Sequence, residues 1–208
     1  MLLDTRLRQN VVFSGLPEET RSRIAAAATF RHFDRGELIN RELSSPEHLT
    51  LLLEGSAQVC RSREDGTPVV FRILYPPAVV GFLLLSGQPH TADVVAAGPV
   101  LAAQLPVKTL RNIFDTNREL LYKVITRLAE LVDALSGELM EQRSLPLVER
   151  LRSAIWRNAD LRGELRLSHE ELAGLVGATR ANVTRALKQL EAAGQIQVER
   201  RVIRILKG

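Results

Sequence analysis

The chain is poor in cysteine, aromatic residues, histidine and lysine, and each shortage removes a class of function. Its 208 residues include one cysteine, Cys60, so no internal disulfide framework forms. An iron–sulfur cluster, which takes about four thiolates, has too few ligands here. Cys60 follows Val59 on an expected strand, where a small buried hydrophobe is expected. Aromatics make up 4% of the chain, too few for the stacking platforms of RNA or single-strand binders. The four histidines, His32, His48, His90 and His169, are scattered and never paired, so a barrel-type metal enzyme lacks its ligand cluster. No nucleophile elbow, Walker loop or dinucleotide fingerprint is present, and the chain is expected not to be an enzyme. No run approaches the roughly 18 apolar residues of a membrane helix, and no secretory signal pattern opens the chain. The expectation is a cytoplasmic protein with no membrane partner.

What is present is a soluble composition, 45% hydrophobic and 25% charged, in a length that suits one large domain or two small ones. The formal charge is +4, and its distribution is uneven. From Ser144 onward the chain carries +5, and the rest carries −1. Excess positive charge confined to one segment is what steering toward phosphate requires.

That segment contains the clearest pattern, from Leu165 to Leu206. Ser168 and Glu171 form an S-x-x-E capping box, and Leu172, Leu175 and Val176 follow on one helical face. Gly177 supplies a left-handed turn residue, and Thr179 caps a second helix, Arg180 to Ala193, with Val183, Leu187 and Leu190 inward. A small Ala173, the Gly177 turn and a core Val183 are the crossing, turn and locking positions of a helix-turn-helix. Ile196–Val198 and Val202–Ile205 read as a hairpin whose tip, Glu199-Arg200-Arg201, makes a wing. The outward face of the second helix offers Arg180, Ala181, Thr184 and Arg185 to base edges, since the guanidinium fork matches guanine O6 and N7. Ser168, His169, Thr179, Asn182, Lys188, Arg200 and Arg201 are placed for phosphates.

Upstream, residues 1–30 read as helical, with Pro17 in a first turn and Glu18 and Glu19 at its positive end. From about Phe33 to Pro106 the period becomes that of short strands with Gly-rich turns, among them a Glu64-Asp65-Gly66 hairpin turn, which argues a barrel or sandwich. Thr116 and Glu119 then read as a second capping box opening a long helix, about 117–143. Its heptad-spaced Leu121, Val124, Leu128, Leu131 and Leu135 form a candidate dimer seam. Ile125, Val132 and Leu139 widen the stripe so that one side can face its own barrel. Ser144-Leu145-Pro146 ends the helix as a hinge, and a further helix over about Leu147–Arg157 opens the C-terminal domain.

The stretch LSHEELAGLVGATRANVTRALKQLEAAGQI resembles the winged helix-turn-helix of the CRP/FNR superfamily of transcription regulators. It keeps Glu171, Leu172, Ala173, Gly177, Thr179, Arg180, Val183, Arg185 and Leu187, and departs at Ala181, where the family has an acid. FSGLPEE, Arg35-Gly36-Glu37-Leu38-Ile39 and Leu53-Glu54-Gly55-Ser56-Ala57-Gln58-Val59 resemble the sensor domain of the same family in the same order. The resemblance implies an α+β architecture in two domains. Residues 1–143 would form a β jelly-roll, cyclic-nucleotide-binding-like sensor with its long dimerisation helix. Residues 144–208 would form the winged helix-turn-helix. It also implies a homodimer reading palindromic double-stranded DNA, with RNA polymerase as a further partner.

The family's nucleotide cassette aligns with Val80 to Thr91. Gly81 and Thr91 remain, but Phe82 stands at the ribose-binding acid and His90 at the phosphate-binding arginine. The polar pair that the long helix offers to the base becomes Leu135 and Ser136. Cyclic AMP is therefore not the expected effector, no cofactor is expected, and the effector is left unassigned. A regulator sensing haem through His32, His48, His90 or Cys60, or another small ligand, is the alternative on the same fold. A nucleotide-gated subunit is a third class, and it would not need the winged module.

Overall fold

The structure is a computed structural model that describes residues 2–62, 68–199 and 202–206. The Glu64-Asp65-Gly66 turn and the wing-tip residues Arg200 and Arg201 lie outside the described residues. No described helix is long and apolar enough to cross a membrane. The chain divides by contacts into two compact units, residues 1–61 with 74–133 and residues 62–73 with 134–208.

In the first unit, helices α1 (Leu2–Gln9) and α2 (Glu18–Ala27) precede a pair of β-sheets. Pro17 is the cap residue of α2 rather than part of its first turn. One sheet runs β1 (Thr29–Phe33), β8 (Val100–Pro106), β3 (His48–Glu54) and β6 (Val79–Val80), in that order. In the other, β7 (Asp93–Ala96) pairs antiparallel with both β2 (Leu38–Asn40) and β4 (Ala57–Ser62). Alternation along β3 decides what each face buries. Leu49, Leu51 and Leu53 pack with Phe13, Ile24, Leu110 and Phe114 under the helices. Leu52 points the other way, into a core of Phe33, Ile39, Val94 and Ala102 that draws on both sheets. The barrel-or-sandwich expectation thus has its physical basis, a sheet with one face toward a second sheet and one toward helices.

Helix α3 (Val107–Thr116) leads into α4 (Arg118–Ser144), which is the long helix expected from the heptads. Its cap is not the expected box. Thr116 turns its hydroxyl back onto the Asn112 and Ile113 carbonyls, and Asn117 Oδ1 accepts the Leu120 amide at 3.0 Å instead. A threonine still inside α3 satisfies its own helix first, which leaves the next residue to cap. The division into two compact units falls within this helix, at 133/134.

The seam residues divide as well. Leu121, Leu128 and Leu135 are exposed, and Leu131 is half-buried. Val124 is only 6% exposed and belongs to the protomer's own core beside Leu120, so it is removed from the seam. Ile125, Val132 and Leu139, expected to face the barrel, are exposed. The outward stripe therefore runs Leu121, Ile125, Leu128, Val132, Leu135, Leu139, in alternating steps of four and three.

The second unit is built on α5 (Leu147–Asn158), α6 (His169–Val176) and α7 (Arg180–Ala192), with a small sheet of β10 (Ile196–Glu199), β11 (Val202–Ile205) and β9 (Glu164–Leu165). Leu151, Ile155, Leu165, Leu172, Val183, Leu187, Ile196 and Ile203 close one core. At roughly 1.5–3 kcal/mol for each fully buried large aliphatic side chain, this small core depends on every member.

One strand in this unit comes from far upstream. The segment 68–73 of β5 (Pro68–Leu74) packs here: Ile73 joins the C-terminal core, and its amide donates to Asn158 Oδ1 at 3.2 Å. Gly174 on α6 makes room for it, since a Cβ there would come within 3.3 Å of Val69.

Candidate nucleic-acid interface

The helix-turn-helix is assembled from its caps inward. Ser168 accepts the Glu171 amide at 3.2 Å, and Glu171 Oε2 accepts the Ser168 amide at 2.7 Å, so both halves of the expected capping box exist. Gly177 has φ +62°, a conformation that costs a residue with a Cβ roughly 1–2 kcal/mol. The turn is closed by the Ala178 amide on the Ala173 carbonyl at 3.0 Å. Thr179 accepts the Asn182 amide at 3.3 Å and starts α7 at the residue expected of it. With Ala173 and Val183 buried at the crossing, α6 fixes the angular setting of α7, so the face that α7 shows to solvent is decided by its buried face.

That solvent face carries Arg180, Ala181, Asn182, Arg185 and Lys188, all exposed. Among the described residues, Arg180, Arg185 and Lys188 have no ion pair, so their charge is available to a polyanion. Asn182 and Arg185 also line a groove of about 340 Å³ with Leu147, Val148, Ala186 and Gln189. Thr184 belongs elsewhere. It is half-buried, its hydroxyl sits 2.9 Å from the Arg180 carbonyl and 2.8 Å from His169 Nδ1, and it ties α6 to α7. Its place among the base readers is corrected on that ground, because both sides of the hydroxyl are occupied.

Two cations beside the wing, Arg204 and Arg166, are neutralised locally. Arg204 bonds Glu164 at 2.9 Å and Glu199 at 2.5 Å, and Arg166 bonds Glu164 at 2.8 Å. The hydrogen bond from Arg204, with help from Arg166, holds the Glu164 carboxyl below the usual carboxylate range. Glu191 at the end of α7 accepts the Val198 amide at 2.9 Å, which sets the wing against the recognition helix. Sequence reading missed β9 and this Glu164 node. Two residues rarely announce a strand, and the Arg204–Glu164 partnership spans forty positions.

The expected effector cassette has a different character. Gly81 has φ +99°, and a Cβ there would lie 3.0 Å from the His48 carbonyl oxygen. Phe82 begins a 3₁₀ turn, Phe82–Leu85, and packs half-buried against the core under the helices. His90 is buried, with Nδ1 3.5 Å from the Asn40 side-chain amide. An amide nitrogen only donates, so Nδ1 accepts and the proton sits on Nε2 of a neutral ring. Burial pushes His90 below its ordinary value, in the same sense. Its backbone is held on both sides by the turn at Leu43 and Ser44. Thr91 is exposed, and its carbonyl accepts from Arg61, which also pairs with Glu42. Leu135 and Ser136 are exposed on the part of α4 that belongs to the second unit.

The other candidate sensing groups are similarly placed in structure. Cys60 is buried opposite Asp93, and burial, with Asp93 and Glu42 adding to it, pushes its thiol up. His32 lies exposed on β1. Among the described residues no three His, Cys, Asp or Glu side chains gather to hold a metal ion.

Two family patterns match the chain in order, the cyclic nucleotide-binding domain over residues 30–117 and the Crp-like helix-turn-helix domain over residues 147–207. The chain is similar to the global nitrogen regulator of Synechococcus elongatus, 26% identical over 185 residues that make up 83% of each protein. It is also similar to the CRP-like cAMP-activated global transcriptional regulator of Mycobacterium tuberculosis, 23% identical over 95% of this chain and 92% of the other. Among solved structures, FixK2 from Bradyrhizobium japonicum shares the fold with a TM-score of 0.75, at 19% identity over 86% of this chain and 93% of that one. A jelly-roll sensor joined through helices to a winged helix-turn-helix defines a class of regulators and not of enzymes. The protein belongs to the CRP/FNR family of transcription regulators.

Proposed function

We propose that this regulator acts as a cytoplasmic homodimer that binds a palindromic site in double-stranded DNA without needing cyclic AMP. The observation that carries the reading is the exposed face of α7. Two unpaired arginines flank Ala181 there, on a helix whose setting is fixed by a doubly capped, fully buried helix-turn-helix core. The +5 charge of the same stretch supplies the sequence-independent attraction. The apolar stripe on α4 supports dimerisation, because Ile125 and Val132 are each about 60% exposed and have no reason to face water. A two-fold pair of α7 helices ~34 Å apart would enter successive major grooves. RNA polymerase is the partner through which such a bound dimer would act. Independence of cyclic AMP is supported by Phe82, an apolar ring packed half-buried against the core where an acid is needed, and by a buried neutral His90 where a fixed cation is needed.

Selection of bound sites from random duplex DNA tests the reading. We expect a two-fold site with guanines read by Arg180 and Arg185 around a position that Ala181 leaves degenerate or shifted toward A·T. Ala181→Glu, which restores an acceptor for the cytosine amino group, should bring back a G·C preference of about 1–3 kcal/mol there. Failure to enrich any duplex overturns DNA binding. An unchanged preference on the swap overturns the placement of Ala181 against the bases.

A further inference from the structure

We propose that His169 is a proton-coupled phosphate clamp, taking up a proton as duplex DNA binds, so that affinity rises as pH falls. The proposal rests on the DNA-binding reading above and adds a regulatory property to it. His169 is the first residue of α6, half-buried, directly after the Ser168 cap. Its Nδ1 lies 2.8 Å from Thr184 Oγ1, and that same hydroxyl lies 2.9 Å from the Arg180 carbonyl oxygen.

A threonine hydroxyl has one proton, and a carbonyl only accepts. The Thr184 proton therefore goes to Arg180, and the hydrogen in the bond to His169 comes from the imidazole, as Nδ1–H. In a neutral ring this leaves Nε2 with a lone pair and no proton. Nε2 has no protein partner among the described residues. A phosphate oxygen also only accepts, so a neutral His169 held this way presents a lone pair to a lone pair. The imidazolium alone satisfies both sides, with Nδ1–H on Thr184 and Nε2–H on the phosphate, as a charge-assisted bond.

The surrounding charges fit such a coupling. On α6 itself, Glu170 is exposed, and Glu171 is engaged by the Ser168 amide and hydroxyl at 2.7 Å each. On the segment before it, Arg166 is paired with Glu164. Across on α7 stand Arg180, Arg185 and Lys188, exposed and without ion pairs among the described residues. A phosphate docked against this face places a negative charge beside the ring and favours the protonated form in the complex. A lysine or arginine at this position would bind phosphate at every pH, whereas a histidine makes the contact conditional.

The test is the dissociation constant for the selected duplex between pH 6 and 8 at fixed ionic strength, for wild type, His169→Gln and His169→Arg. Wild type should bind about three- to tenfold tighter at pH 6 than at pH 8, as a single linked proton allows. Its salt dependence should steepen by about 0.9 in log–log slope at the lower pH, one additional phosphate neutralised. His169→Gln, which keeps a donor but cannot titrate, should be flat across pH and weaker than wild type at pH 6. His169→Arg should be flat with the steeper salt slope throughout. A flat wild-type profile, or a profile that persists unchanged in His169→Gln, overturns the proton coupling while leaving DNA binding standing. Absence of duplex binding at every pH in all three proteins overturns the DNA-binding reading itself, and the clamp with it.

Discussion

The two units of the chain handle their polar residues in opposite ways. On α7 the cations are outside, without an ion pair among the described residues, and held in place by a buried apolar face beneath them. In the Gly81–Thr91 stretch no free cation is presented: His90 is buried, Phe82 is half-buried and Thr91 is exposed. Phe82 packs half-buried against the core, His90 is buried on Asn40, and the nearby Arg61 is tied to Glu42 and the Thr91 carbonyl. The difference teaches how one chain can leave charge open to solvent in one unit and engage it with protein groups in the other. Neither Phe82 nor the buried His90 puts a fixed charge into this stretch. The fold around it survives, because Leu49, Leu51, Leu52 and Leu53 hold the sheets together without reference to any ligand.

The comparison breaks most readily at the C-terminal core. Leu172→Ala, at a fully buried position, should cost about 2–5 kcal/mol in chemical denaturation and weaken DNA binding with it. If stability falls but the remaining folded protein binds with unchanged affinity, the setting of α7 does not depend on α6. Next in size, Arg185→Ala should lose about 1–3 kcal/mol at the selected site and relax one base position, with no change in the unfolding midpoint. Equal affinity at matched salt would remove Arg185 from the interface.

A smaller effect is expected in the sensor as acid is added. His90 is neutral and buried in the folded protein, with its folded-state value below the ordinary one, so the unfolded chain takes up the proton first. The stabilisation is therefore complete above about pH 6.5, where histidine in an unfolded chain titrates, and is lost as pH falls through the lowered folded value. Thermal unfolding followed from pH 8 to 5 should show this decline, and His90→Gln should flatten its share of it. A midpoint whose pH profile is the same in wild type and His90→Gln would place the loss in other groups. Smallest of all, calorimetry with cyclic AMP or cyclic GMP should give no heat at concentrations that saturate cyclic-nucleotide-dependent members of the family. Micromolar binding that disappears with Thr91→Ala would reinstate the cassette as a nucleotide site.

Local chemistry explains which parts were legible in the sequence. The capping box at Ser168 and Glu171, the left-handed Gly177 and the Thr179 cap each involve residues within three positions of one another. Their outcome is set by short-range hydrogen bonding and sterics, and the amino-acid order alone states it. The heptad spacing of α4 was equally visible, and so was the segregation of charge past Ser144.

Only the tertiary structure decided which way repeated patterns face. Val124 and Ile125 are neighbours in a helix apolar enough to bury either, and the core around Leu120 and Phe114 took Val124 and left Ile125 outside. Thr184 looked free on a helix face until His169, fifteen residues earlier, occupied its hydroxyl. Residues 68–73 read as one more strand of the sensor, and β5 does extend the sheet of β2, β7 and β4, but its contacts also group it with the second unit, where Ile73 joins the C-terminal core. Periodicity tells how often a side chain returns to a face. What lies opposite that face depends on partners distant in sequence, and only packing in three dimensions selects them.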